Sequence, residues 1–180
     1  MRLCRVNPAV GRQRGITVVE LLVAIAIVGL ISAGIATLIS QIITGNTRTS
    51  NHMIAVRQVQ QAGKDVSQDT LQAQEIIPGP NDGFPLLLRW TDIGGVANNI
   101  TYTIAESGEL LRTHVRDPGD SDSRVIARYI AAASVDVFGS IPECDPPCYR
   151  GLTLEVMAIV GDGPYQASET REYTAERRPD

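Results

Sequence analysis

A long uncharged apolar segment dominates the first quarter of the chain. Between Glu20 and Arg48 the sequence contains no Asp, Glu, Lys or Arg, and Leu21 to Ile43 is almost entirely apolar. An α-helix rises about 1.5 Å per residue, so about 20 apolar residues cross the hydrocarbon core of a bilayer. Residues 16–44 are therefore predicted to form a membrane-spanning helix.

After this segment the helical period continues, but only one narrow stripe is apolar. Charged and amide side chains fill most other positions, as on an amphipathic helix that packs on a partner. The sequence predicts that residues 45–77 continue the first helix and that the Pro- and Gly-rich stretch 76–83 ends it. The stripe recurs at steps of three and four residues and consists of Met53, Val56, Val59, Gly63, Val66, Thr70 and Ala73.

From Leu86 onward the pattern changes to the alternation that is typical of strands. Gly-containing connections predict hairpins through 106–109 and 161–164. Arg124–Ala133 fits either one face of a helix or a strand that starts at Val125. The expected fold is α+β, a long N-terminal helix packed on an antiparallel β-sheet, with 78–180 as a β-rich globular domain. Strands are predicted over 86–90, 100–104, 110–115, 134–138, 152–157 and 169–173.

The residues before the apolar segment indicate a function for Glu20, the acidic residue near its start. The leader, residues 1–15, contains four arginines and no acid, so the positive-inside rule keeps it in the cytoplasm. A secretory signal peptide is cut after its apolar region, whereas the small residue at a plausible junction here, Gly15, precedes it. Cleavage would place a new α-amino cation at Ile16, one helical turn from Glu20. A carboxylate at this depth costs about 2.5–3.5 kcal/mol on insertion scales, which indicates a function.

The sequence RGITVVELLVAIAIVGLI at residues 14–31 resembles the N-terminal cleavage and methylation motif of type IV prepilins and type II secretion pseudopilins. The resemblance implies that a prepilin peptidase/methyltransferase cuts after Gly15 and N-methylates Ile16, where this family more often has phenylalanine or methionine. It also implies that Glu20 engages the N-terminus of a neighbouring subunit during assembly. Further implied partners are other pilin or pseudopilin subunits and the inner-membrane assembly platform.

Two later segments carry a second resemblance. Residues 57–66, RQVQQAGKDV, and residues 102–112, YTIAESGELLR, are similar to J-type minor pseudopilins and related minor pilins. This resemblance implies a sparse, minor structural subunit of a type IV pilus or a type II secretion pseudopilus. The expected location is the cytoplasmic membrane of a bacterium or archaeon, single-pass with the N-terminus inside. After assembly the protein is expected in an extracytoplasmic pilus or pseudopilus.

Charge limits the other possible functions. Loss of the leader would leave twelve cations and twenty anions, a formal charge of −8. This acidity argues against a nucleic-acid partner and offers no reason to expect an anionic membrane surface as partner. Two alternatives remain open. One is a binding module at a pilus tip for adhesion or DNA uptake, and the other is a signal-anchored extracytoplasmic protein that does not polymerise.

Two further clusters could carry chemistry. Cys144 and Cys148 lie close together outside the cytoplasm, which predicts a local disulfide with two free thiols as the alternative. Asp117, Asp120 and Asp122 offer oxygen ligands for Ca²⁺, but the EF-hand spacing is absent and a solvated turn is the preferred interpretation. The sequence has no phosphate-binding loop, nucleophile elbow or metalloprotease motif, so neither a catalytic residue nor a cofactor is predicted.

Overall fold

The computed structural model describes residues 15–117, 119–142 and 148–177. The chain divides into two compact units, Met1–Ile43 and Thr44–Asp180. The first unit contains the apolar segment, and the second contains the amphipathic segment and every strand in the described ranges.

The described part of the first unit is an exposed helix. Helix α1 begins at Val18, and every residue from there to Ile43 is exposed. The hydroxyls of Ser32 and Thr37 donate hydrogen bonds of 2.7 and 3.0 Å to the carbonyl oxygens four residues earlier. These hydroxyls are satisfied within the helix, as a lipid environment requires. Within the described ranges, α1 is the one helix long and apolar enough to span a membrane.

In the second unit α1 continues to Gln72 and packs on the strands. Val59, Val66 and Thr70 of the predicted apolar stripe are fully buried, whereas Met53 near its start is 64% exposed. The stripe therefore packs on the domain only over its later turns. The buried helix residues are Ala55, Val59, Ala62, Gly63, Asp65, Val66, Asp69 and Thr70.

One glycine lets the helix come close to the sheet. A Cβ at Gly63 would lie 2.3 Å from the ring of Tyr173, far inside van der Waals contact. The residue must therefore lack a side chain for this ring to lie against the helix backbone. Gly63 therefore contributes a close contact of the helix backbone to the stripe rather than an apolar side chain.

The helix ends earlier than the sequence predicts. It stops at Gln72 rather than 77, and Glu75–Gly79 form the first strand, β1. Ile76 is fully buried there and pairs with Leu88. A β-branched residue gains more from this buried, extended position, and Pro78 disfavours helical geometry in the residue before it.

The first sheet has five antiparallel strands in the order β1-β2-β3-β4-β5. Its register aligns residues on one face, so Leu86, Tyr102, Arg112 and Arg124 form one row across β2 to β5. The apolar members of this row are fully buried and the charged members lie towards the β5 edge. The strands after β1 are β2 (Gly83–Thr91), β3 (Ala97–Ile104), β4 (Leu110–Asp117) and β5 (Ser121–Ala127).

The second sheet has three antiparallel strands in the order β6-β7-β8. The chain passes from the first sheet to the second at Tyr129, whose backbone is left-handed with φ of 63°. The Ile159 amide donates a 2.9 Å hydrogen bond to the Tyr129 carbonyl oxygen. These strands are β6 (Ile130–Ile141), β7 (Cys148–Val160) and β8 (Ala167–Glu176).

The predicted α+β fold, a long N-terminal helix against antiparallel strands, is confirmed. The single expected sheet is in fact two sheets. The ambiguous segment Arg124–Ala133 belongs to strands, because β5 continues to Ala127 and β6 starts at Ile130. The six predicted strands lie within β2, β3, β4, β6, β7 and β8.

Candidate functional site

The start of α1 is organised around Thr17. The Thr17 hydroxyl oxygen accepts a 3.3 Å hydrogen bond from the Glu20 amide, and its carbonyl oxygen accepts one of 3.2 Å from Leu21. Thr17 is therefore the N-cap, and Glu20 occupies the third helical position, the spacing of a Thr-x-x-Glu capping sequence. A carboxylate in the first turn also interacts favourably with the positive end of the helix dipole. Gly15, Ile16 and Glu20 are all exposed at this helix start.

The large apolar side chains at the helix start and after it are exposed. Those of the first unit are 51–77% exposed, from Ile35 at the lower limit to Ile16 and Leu30 at the upper. A Cβ at Gly29 or Gly34 would contact nothing within 4 Å. Soluble monomers rarely expose apolar patches of more than a few hundred Å², so this surface requires lipid or other helices.

The later part of α1 carries a buried carboxylate that the sequence analysis did not single out. Asp69 is only 8% exposed and forms a two-pronged ion pair with Arg112, with Nε–Oδ2 at 2.7 Å and Nη2–Oδ1 at 3.1 Å. The hydroxyl of Tyr102, which is fully buried, donates a hydrogen bond to Asp69 Oδ2. Such a two-pronged pair is stronger and more directional than a single contact. It fixes β3 and β4 against one turn of the helix.

The ionisation of these groups follows from their contacts. Burial, and then the negative charge of Asp69, raises the pKa of Tyr102 well above its usual range. The hydrogen bond to Asp69 raises the pKa of Arg112 further above its already high value. Asp69 is therefore held between a neutral phenol and a permanent cation.

A second carboxylate lies one turn earlier. Asp65 is 8% exposed, accepts a 3.1 Å hydrogen bond from the Gln61 amide and lies 3.5 Å from Nη2 of Arg124. The Arg124 side chain is 55% exposed, so this ion pair is partly solvated. The two helix carboxylates thus face two arginines that are direct cross-strand neighbours on β4 and β5.

A polar groove of about 610 Å³ opens beside these ion pairs. Trp90 and His114 stack along it, with ring centroids 5.8 Å apart, and His114 Nε2 lies 3.0 Å from Asn98 Oδ1. Partial burial, and then the charges of Arg112 and Arg116, lowers the pKa of His114. The sequence signal for this groove was the alternation of Arg112, His114 and Arg116 along one strand, which places all three on one face.

The remaining predicted site residues lie apart from these features. Cys148 is buried and disulfide-bonded, while Cys144 lies outside the described residues, so their pairing stays a prediction. Asp117, Asp120 and Asp122 are exposed around the β4–β5 turn. No group of three His, Cys, Asp or Glu side chains in the described part of the chain could hold a metal ion.

Comparison with known proteins found one family motif in the chain. The prokaryotic N-terminal methylation motif matches residues 11–36, consistent with the type IV prepilin and pseudopilin family. No curated protein and no solved structure matched the chain. The motif family is structural rather than enzymatic, and the motif implies processing by a peptidase and assembly with other pilins. Together with the apolar helix it fits a membrane-anchored protein, whereas the J-type resemblance stays a prediction.

Proposed function

We propose that the chain is a minor structural subunit of a type IV pilus or a type II secretion pseudopilus and has no enzymatic activity. It is inserted with residues 1–15 in the cytoplasm, cut after Gly15 and N-methylated at Ile16. The observation that carries this proposal is the helix that starts at the motif and leaves its whole apolar surface exposed. A signal anchor would share the surface but would not need a carboxylate in its first turn.

Assembly replaces lipid on this surface with the helices of neighbouring subunits. Small residues such as Gly29 and Gly34, where nothing lies within 4 Å, allow helix backbones to approach each other. The inner-membrane platform would extract each subunit from the bilayer into this packed core. The apolar surface that leaves the lipid during assembly is buried again between neighbouring subunits.

Glu20 would select the register of packing. An unpaired carboxylate in a dry helix core is costly, so the arrangement in which the Ile16 amine of a neighbour meets it is favoured. The Thr17 cap supports this role because it fixes the helix start three residues before Glu20. The pair would contribute specificity of register more than net stability.

The segment 102–112 lies against the helix just after the segment 57–66. Tyr102 and Arg112 bind Asp69, three residues after the end of the first segment. Asp65, inside the first segment, lies 3.5 Å from Arg124, which belongs to neither segment. The assignment to a minor subunit therefore rests on the two sequence resemblances.

Mass analysis of the protein from its native membrane tests the proposal. We expect a chain that begins at methylated Ile16. Gly15→Val should leave residues 1–15 attached, whereas Gly11→Ala, at the other leader glycine, should be processed normally. A wild-type chain that still carries residues 1–15 in cells with active peptidase would reduce the protein to a signal-anchored one.

A further inference from the structure

A second groove lies where α1 leaves the apolar segment. It has a volume of about 750 Å³, and its walls are the helix on one side and the turn end of the β7–β8 hairpin on the other. Asn51 fixes the two walls together, because its amide donates a 2.8 Å hydrogen bond to the Tyr165 carbonyl oxygen. The groove is lined by Gly45, Arg48, Thr49, His52, Ile159, Gln166, Ala167 and Ser168.

The groove is cationic although the chain is acidic. Arg48 is the only Lys, Arg, Asp or Glu between Glu20 and Arg57. Among the described residues, no carboxylate lines the groove and Arg48 forms no ion pair. His52 lies four residues later on the same side of the helix, and Gln166 and Ser168 add an amide and a hydroxyl. These groups are donors suited to an anion with several oxygens.

The position of Arg48 in the sequence points to the source of that anion. It follows Ile43, the last residue of the apolar segment, by five positions. Five residues of helix rise about 7.5 Å, and the headgroup layer of each leaflet is about 5–8 Å deep. A cation at this distance from a hydrocarbon span reaches the level of the lipid phosphates.

We propose that this groove binds the phosphate of a phospholipid in the outer leaflet of the cytoplasmic membrane. Arg48 pairs with the phosphate, and the His52, Gln166 and Ser168 side chains contact its other oxygens. The site is a local exception to the acidic surface of the processed chain. It rests on the proposed membrane residence of the subunit but not on filament formation, and extraction of the subunit must break the contact.

Lipid titration of the processed chain, purified from membranes in a non-ionic detergent, tests the proposal. Short-chain phosphatidylglycerol should bind as a discrete adduct by native mass spectrometry, and a phosphate-free galactosyl diacylglycerol should not. Because a basic residue near a membrane surface contributes about 1 kcal/mol, Arg48→Gln should weaken phosphatidylglycerol binding about fivefold. Arg48→Lys should retain most of it.

Arg57→Gln is the matched control, since Arg57 is exposed on the same helix and does not line the groove. It should bind like the wild type, and the three variants should share the wild-type unfolding curve. Equal binding by the Arg48→Gln and Arg57→Gln variants, equal binding of the galactolipid, or displacement of the lipid by an equal concentration of inorganic phosphate would each overturn the proposal. The N-terminal mass of the same sample reports on processing separately, so failure of the proposed function is distinguishable.

Discussion

The carboxylates in the two parts of helix α1 have opposite environments. Asp65 and Asp69 are 8% exposed and find arginine partners on the strands of the same chain. Glu20 lies on an exposed surface, where its described hydrogen bond is made by its backbone amide to Thr17. One helix thus has a part that is packed on its own domain and a part whose residues up to Ile43 are all exposed.

This difference separates carboxylates that affect the fold of the subunit from a carboxylate that affects its assembly. A carboxylate with an internal partner stabilises the fold of the subunit and specifies how helix and sheet are aligned. A carboxylate on an unpartnered apolar surface has its effect only when that surface is covered. Substitutions in the two parts should therefore separate, with one set changing unfolding and the other changing assembly.

The largest effect is expected at Glu20. Glu20→Gln keeps the shape and removes the charge, so the Ile16 amine of a neighbour would be buried without a counter-ion. Loss of one partner of a buried pair costs about 3–5 kcal/mol, or a 100-fold or larger change in an equilibrium. Incorporation into sheared filaments, measured by immunoblot, should fall accordingly while cleavage and unfolding stay unchanged.

Glu20→Asp provides the control, because it keeps the charge one methylene further back and should restore part of the incorporation. If the Glu20→Gln variant entered filaments as well as the wild type, Glu20 would have no role in register.

Asp69→Asn should have the next largest effect, and it should act on folding. It leaves Arg112, whose side chain is 12% exposed, without its counter-ion, at a cost of about 3–5 kcal/mol. Asp65→Asn should cost only about 0–1 kcal/mol, because Arg124 is 55% exposed. Urea unfolding of the full chain in detergent, followed by the fluorescence of Trp90, measures both.

The double variant Asp69→Leu/Arg112→Leu sharpens this comparison, since it removes both charges. It should be more stable than Asp69→Asn alone. Equal losses for the Asp65 and Asp69 variants would contradict the assignment of Asp69–Arg112 as the stronger of the two helix–sheet ion pairs.

A smaller effect is expected at the helix glycines. Gly63→Ala places a methyl 2.3 Å from the Tyr173 ring and should cost about 1–3 kcal/mol as the ring moves. Gly34→Ala meets nothing within 4 Å, so it should leave unfolding of the domain unchanged. A thermal unfolding scan of both variants tests this, and equal midpoints would show that the close approach at Gly63 carries no energy.

The smallest effect is the pH dependence of His114. Its pKa is lowered in the folded chain, so the unfolded chain binds the proton first as the pH falls below about 6.5. This contribution to stability is present above that pH and is lost as the pH falls through the lowered value. The slope is at most about 1.4 kcal/mol per pH unit.

His114→Gln should remove this slope, and because it also removes the stack on Trp90 it should lower stability by an amount that does not depend on pH. The measurement is urea unfolding followed by circular dichroism between pH 5 and 8, as the difference between wild type and variant. A difference that did not change with pH would show that His114 does not titrate differently in the folded chain.

Local patterns predicted much of this protein because they depend on nearby residues. The membrane-spanning length, the motif around Gly15 and Glu20, and six strands follow from spacing and residue type. The predicted end of the helix was five residues too late, because Ile76 is buried by pairing with a strand residue twelve positions later in the chain. The N-cap at Thr17 could have been found from the sequence, since the Thr-x-x-Glu signal is purely local.

The sequence by itself determined that one helix has an uncovered apolar part with a lone carboxylate, since the absence of charge and the offset of Glu20 are visible without a fold. Tertiary structure alone decided that Asp69, Tyr102 and Arg112 form one buried contact. Their separations of 33 and 43 residues are closed by strand register, and no helical or strand period encodes a pairing between a helix and a distant strand. The same applies to the groove around Arg48, whose two walls are joined by the hydrogen bond from Asn51 to Tyr165, 114 positions apart.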